Sequence, residues 1–173
     1  LRASPSIDPH TPLLTTTGVL DSKFGFSIET GDAEKAIKIL MKIDSLNLKG
    51  LHFHLGSPIF ELDPFSEAID YVYKFAYDMK LKYNFDMKEF SPGGGFAIGY
   101  LTDKKPPRIK DYAKAICNSI KKACGSYNFN IPKVILEPGR ALVGRSGVSM
   151  YKVGSIKKIP GVRNYISVDG GMG

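Results

Sequence analysis

Apolar residues recur along this chain in two alternating rhythms, one of helices and one of strands. The helical rhythm is clearest after Asp63-Pro64, where Phe65, Ala68, Ile69, Val72, Phe75, Ala76 and Met79 form one stripe behind a proline at the first helical position. A second stripe, Ala33, Ala36, Ile37, Leu40 and Met41, predicts a helix capped by Asp32 and running to about residue 44. A third, Ile109, Ala113, Ile116, Ile120 and Ala123, predicts a helix after the Pro106-Pro107 loop, with Gly125 at its C′ position. Strand-type runs at 1–5, 50–55, 87–91 and 133–137 stand between them, and residues 6–25 read as a polar, proline-broken loop.

Strand ends recurring at such intervals describe successive βα units with a parallel sheet, and four units are half of an eight-unit barrel. Beyond Gly144 the helical rhythm fades. Residues 148–153 and 165–168 read as strands around a Pro160-Gly161 turn, the beginning of an all-β module. The expected organisation is therefore α/β: residues 1–144 as the C-terminal half of a (β/α)8 barrel, and 145–173 as the incomplete beginning of a β-domain.

Composition excludes more than it selects. The 173 residues can bury one ordinary core, and the apolar 43% and charged 24% are average for a globular chain. No apolar run reaches the roughly 20 residues that span a bilayer. The net charge of +7 is spread over pairs such as Lys104-Lys105, Lys121-Lys122 and Lys157-Lys158, read as solvated loops and helix faces. A nucleic-acid surface would concentrate them among aromatics. Cys117 and Cys124 lie two helical turns apart, roughly 10.5 Å, too far for a disulfide. That suits a reducing, cytoplasmic compartment.

Three strand ends carry chemistry: HFHLGS (52–57), SPGGGF (91–96) and EPGR (137–140). The glycines Gly93, Gly94 and Gly95 either form a turn or let backbone N–H groups approach an anion. His52 and His54 share a strand face. A third metal ligand at useful spacing is missing, which favours a half-buried ring packed flat over zinc. Ser57 offers a hydroxyl. Glu137 ends an apolar strand and needs a partner if buried; Arg140 sits on the wrong side of the turn, so a structural pair elsewhere or a cationic ligand group remains open. Taken together, two phosphate-friendly turns, a flat histidine and a carboxylate seeking a cation match pyridoxal 5′-phosphate at a barrel rim.

Five segments, SKFGF (22–26), GLHFHLGS (50–57), GGGF (93–96), EPGR (137–140) and VDGGM (168–172), resemble the barrel-type pyridoxal phosphate decarboxylases. This is the family of ornithine, arginine and diaminopimelate decarboxylases, with the alanine racemase type of barrel. IDPHTPLLTTTGVLDSKFGF, KEFSPGGGF and PPRIKDYAKAI are most similar to its diaminopimelate branch. Pro58, where the family commonly has Gln, and Ser91-Pro92 depart from the pattern.

The resemblance implies that His54 stacks on the cofactor ring and Glu137 bonds its pyridine nitrogen. Ser57, Gly93, Gly94, Gly95, Gly139 and Arg140 would hold the phosphate, and Arg140 would also touch substrate. It further implies decarboxylation of meso-2,6-diaminopimelate to L-lysine in a homodimer with a shared active site, without a metal. The lysine that carries the cofactor in that family lies in the first barrel strand, and the last substrate residues lie in the β-domain. The chain is accordingly expected to be a central fragment, inactive alone. A sister decarboxylase for ornithine, arginine or carboxynorspermidine, a non-catalytic cofactor carrier and a paralogue without cofactor are the alternatives.

Overall fold

Strand β1 (Ala3–Ser4) pairs in parallel with β2 (Phe26–Ser27), while β3 (Gly50–His52), β4 (Glu89–Ser91) and β5 (Lys133–Val134) form a second parallel group in that order. A parallel bridge between Arg2 and His52 joins the groups, giving β2-β1-β3-β4-β5. These relationships come from a computed structural model that describes residues 1–11, 17–18, 20–100 and 105–171. Part of the proline-broken loop, together with Lys104 and Met172, lies outside the described residues.

Helices α1 (Asp32–Leu40), α2 (Asp63–Tyr83) and α3 (Ile109–Ser126) follow β2, β3 and β4, and the short α4 (Gly139–Val143) follows β5. The parallel strands alternate with helices, as successive βα units of a partial barrel do. Strand periodicity decides what faces where. Leu51, Phe53, Leu55 and Phe90 are buried in the core with the helices. His52, His54 and Ser91 therefore point to the opposite face.

Every residue of the predicted α2 stripe is buried, and Tyr73 joins it. Tyr73 packs edge-on to Phe90 at 5.0 Å between ring centres, which ties α2 to β4. The α3 face differs from expectation. Tyr112, Ile116, Ile120, Ala123 and Cys124 are buried, whereas Ile109 and Ala113 are exposed. Tyr112 can be buried because its hydroxyl donates to the Ile59 carbonyl and accepts from the Ala97 N–H at 3.2 Å.

Several boundaries move. Helix α1 stops at Leu40 and its N-cap is Gly31; the Asp32 carboxylate binds Thr30 and Lys35 instead, and Met41 is exposed. Gly125 lies inside α3, which ends at a Tyr127 cap. In the carboxyl-terminal region, β6 (Val153–Ile159) and β7 (Arg163–Val168) form an antiparallel hairpin. Residues 148–152 precede β6, which begins at Val153 opposite Val168. Lys157 and Lys158 thus sit on a strand rather than in a loop or on a helix.

Candidate functional site

One rung of the sheet sets the site. Arg2 bridges to His52, and His52 is in register with Ser91. After β5 the chain continues to Glu137, whose N–H donates to the Gly93 carbonyl at 3.0 Å and which forms a parallel bridge with Gly94. This pairing lays the third turn beside the second and sends the Glu137 carboxylate back toward the rung.

The carboxylate meets a histidine. Its Oε1 is 3.1 Å from His52 Nε2, and the Ser91 hydroxyl donates to it at 3.4 Å. Burial pushes the His52 imidazolium below its ordinary range, against the pull of Glu137. The neutral ring then donates from Nε2, a tautomer assigned by its partner. Glu137 itself is 50% exposed, so it can still face a ligand. Glu137 thus has His52 and Ser91 as partners within the chain and an exposed side left for a ligand group. Val134, Ile135 and Leu136 ahead of it are exposed, because β5 pairs only with β4 among the described residues.

His54 is fixed from the second turn. Its Nδ1 accepts the Gly94 N–H at 3.2 Å, which requires an unprotonated nitrogen there. Burial depresses its basicity, and the nearby Arg2 charge adds to that. The Thr17 hydroxyl anchors the His54 carbonyl at 2.7 Å.

The glycines answer first to their neighbours. A Cβ on Gly93 would press on the Phe53 carbonyl and the His54 ring, one on Gly94 on the Glu137 carbonyl, and one on Gly95 on the Gly56 carbonyl. Gly93 and Gly95 also take positive φ, 74° and 84°. The GGG turn thus spans the site, from Glu137 and His54 at one end to the Gly56-Ser57 turn at the other.

At that second end, Arg140 Nε donates to Ser57 Oγ at 2.9 Å and Nη1 donates to the Tyr100 hydroxyl at 2.7 Å. Gly139 has open space where a side chain would be. All eight residues singled out in the sequence fall on these three turns. Reading the sequence missed Arg2 and Tyr100, named Ser91 only as a departure from the family pattern, and gave His52 no carboxylate partner. Period-two spacing signalled only which face His52 takes. A groove of about 740 Å³ between β2 and α1 is lined by none of the site residues. Among the described residues, no group of three His, Cys, Asp or Glu side chains is placed to hold a metal ion.

Residues 1–144 match the family model described as the pyridoxal binding domain of pyridoxal-dependent decarboxylase. The diaminopimelate decarboxylase of Bacillus subtilis (strain 168) is 41% identical over 172 residues, 99% of this chain and 39% of that protein. The crystal structure of diaminopimelate decarboxylase from M. jannaschii superimposes with a TM-score of 0.76 at 36% identity, covering 99% of this chain and 38% of that one. That of the Helicobacter pylori enzyme complexed with L-lysine gives 0.73 at 29%, covering 99% and 40%. The chain therefore spans about two fifths of the length of these relatives. Over that span both its sequence and its fold follow theirs, and the chain belongs to the pyridoxal-dependent decarboxylase family.

Proposed function

We propose that this chain supplies part of the cofactor site of an enzyme that decarboxylates meso-2,6-diaminopimelate to L-lysine and carbon dioxide with pyridoxal 5′-phosphate. The observation that carries the reading is the half-exposed Glu137 carboxylate, held at the rim by His52 Nε2 at 3.1 Å. The donor set fits the cofactor: a carboxylate suits a protonated ring nitrogen, and a guanidinium beside a hydroxyl suits a phosphate ester. When bound, pyridoxal phosphate supplies the electron sink for the pair left as the α-carboxylate departs.

The chain's own residues prepare that sink. Glu137 keeps the ring nitrogen protonated, since a nearby negative charge favours the cationic form. His52 and Ser91 hold the carboxylate in place by hydrogen bonds. His54 packs on the ring face, its rotation blocked by the Gly94 N–H. Ser57, Gly93, Gly94, Gly95, Gly139 and Arg140 hold the phosphate, and Arg140 also reaches the substrate.

Residues 1–144 serve as half of the barrel and 145–173 as the beginning of a β-domain; the change from parallel strands to the β6-β7 hairpin supports that boundary. The enzyme works as a cytoplasmic homodimer that shares its active site. The free thiols Cys117 and Cys124 suit a reducing compartment, and no described helix is long and apolar enough to cross a membrane. The substrate assignment rests on the relatives, several of which are named diaminopimelate decarboxylase and two of which were solved with L-lysine. The test is the complete protein incubated with meso-diaminopimelate, ornithine, arginine and carboxynorspermidine in turn. Lysine and carbon dioxide from the first are expected; release from another substrate alone would defeat the choice, and no release from any would leave a cofactor carrier.

A further inference from the structure

We propose that Tyr100 is a positioning residue for Arg140, holding the guanidinium so that its free N–H groups face an oxyanion; this rests on the cofactor-site reading above. Tyr100 lies outside every motif that drew attention to the site. It follows the GGGF turn, and its hydroxyl accepts from Arg140 Nη1 at 2.7 Å. The guanidinium carbon also stands 5.7 Å from the centre of the Tyr100 ring, within cation–π range.

A third observation shows that the approach is built in. A Cβ on Gly144, at the end of α4, would strike Ile98 Cδ1 at 2.5 Å and crowd the Tyr100 hydroxyl at 3.3 Å. Glycine there lets the 98–100 segment lie against the helix that carries Arg140. Ser57 takes Nε from the other side at 2.9 Å. A guanidinium has five N–H donors. With Nε–H and one Nη1–H committed, three have no partner among the described residues. Held at two points, the fork can no longer rotate, and those three donors keep a fixed direction suited to bidentate capture of an oxyanion.

The oxyanion is the cofactor's phosphate ester or a carboxylate of the substrate, and the experiment separates them. The complete protein is prepared as parent, Tyr100→Phe, Tyr100→Ala and Arg140→Lys. Apoprotein is titrated with pyridoxal 5′-phosphate and with phosphate-free pyridoxal, followed by absorbance. The holoenzyme then gives KM and kcat, and thermal unfolding of the apoprotein monitors folding.

Tyr100→Phe is expected to weaken the phosphate ester about tenfold, the loss of one hydrogen bond to a charged group, and Tyr100→Ala somewhat more. Pyridoxal affinity and apoprotein melting should stay at the parent values. Unchanged phosphate-ester affinity with a raised substrate KM and steady kcat would assign the substrate carboxylate and still support the clamp. Neither quantity moving in Tyr100→Phe, or equal losses for pyridoxal and its phosphate, would overturn it. Arg140→Lys matching the parent in both would overturn the Arg140 assignment itself, separating failure of the site reading from failure of the clamp.

Discussion

Glu137 and His52 stand 85 residues apart in sequence and 3.1 Å apart in space, His52 at the end of β3 and Glu137 three residues beyond β5, with β4 between those strands. The contact exists because register brings His52 level with Ser91 while the Gly94–Glu137 bridge turns the carboxylate onto the same face. His52→Ala should therefore lower kcat/KM for decarboxylation in the complete enzyme by about 10- to 100-fold, the value of a hydrogen bond to a charged group. Steady-state assays check this, and a rate equal to the parent would remove His52 from the site.

How much of this pairing was legible follows from its parts. Spacing placed His52 and His54 on one face, and the apolar run marked where β5 ends. Which carboxylate meets which imidazole is a long-range fact set by strand register, and no local pattern encodes it. The same division runs through the fold. The α2 stripe is long and regular, and all of it is buried. β2, two residues long, and α4, five residues long, are too short to display a period. Tyr112 stands outside the predicted apolar stripe of α3, and its hydroxyl, satisfied by Ile59 and Ala97, is what permits burial. Tyr100 carries no local signal, since its partner is 40 residues on.

Tyr112→Phe removes a hydroxyl that joins two rim segments and leaves the Ile59 carbonyl and Ala97 N–H one partner short. The expected cost is about 1–3 kcal/mol. Equilibrium urea unfolding of the complete protein measures it, and an unchanged midpoint would contradict the bridging role.

Gly94→Ala places a methyl group against the Glu137 carbonyl, on backbone that cannot move independently. A loss of about 3 kcal/mol or more in stability is expected, beyond the usual overpacking range where relaxation is possible. The apoprotein should show it, since the clash precedes any ligand. A melting temperature equal to the parent would mean that the glycine serves the cofactor alone.

Low pH should loosen the rim. Burial lowers the basicity of His52 and His54 below the ordinary value of 6.5. The unfolded chain therefore takes up protons first as pH falls. Their contribution to stability is whole above about pH 6.5 and is lost as pH drops through the lowered folded values. Besides burial, Arg2 opposes protonation of both rings and His52 opposes that of His54, while Glu137 favours both. His54→Asn can still accept from the Gly94 N–H, so it should keep the fold while removing one titrating group. Urea unfolding between about pH 6.5 and 5, below which carboxylates intervene, should show a shallower slope for this variant; an identical slope would exclude His54 as the source.

The account turns on Glu137 serving a protonated ring nitrogen, and a crystal structure of the complete protein with pyridoxal 5′-phosphate tests that most directly. A Glu137 carboxylate oxygen should lie at hydrogen-bond distance from the pyridine nitrogen, about 2.7–3.2 Å, with His52 retained behind it and the phosphate lodged between the GGG turn and Arg140. A ring nitrogen facing another group, with Glu137 bonded to His52 alone, would contradict it.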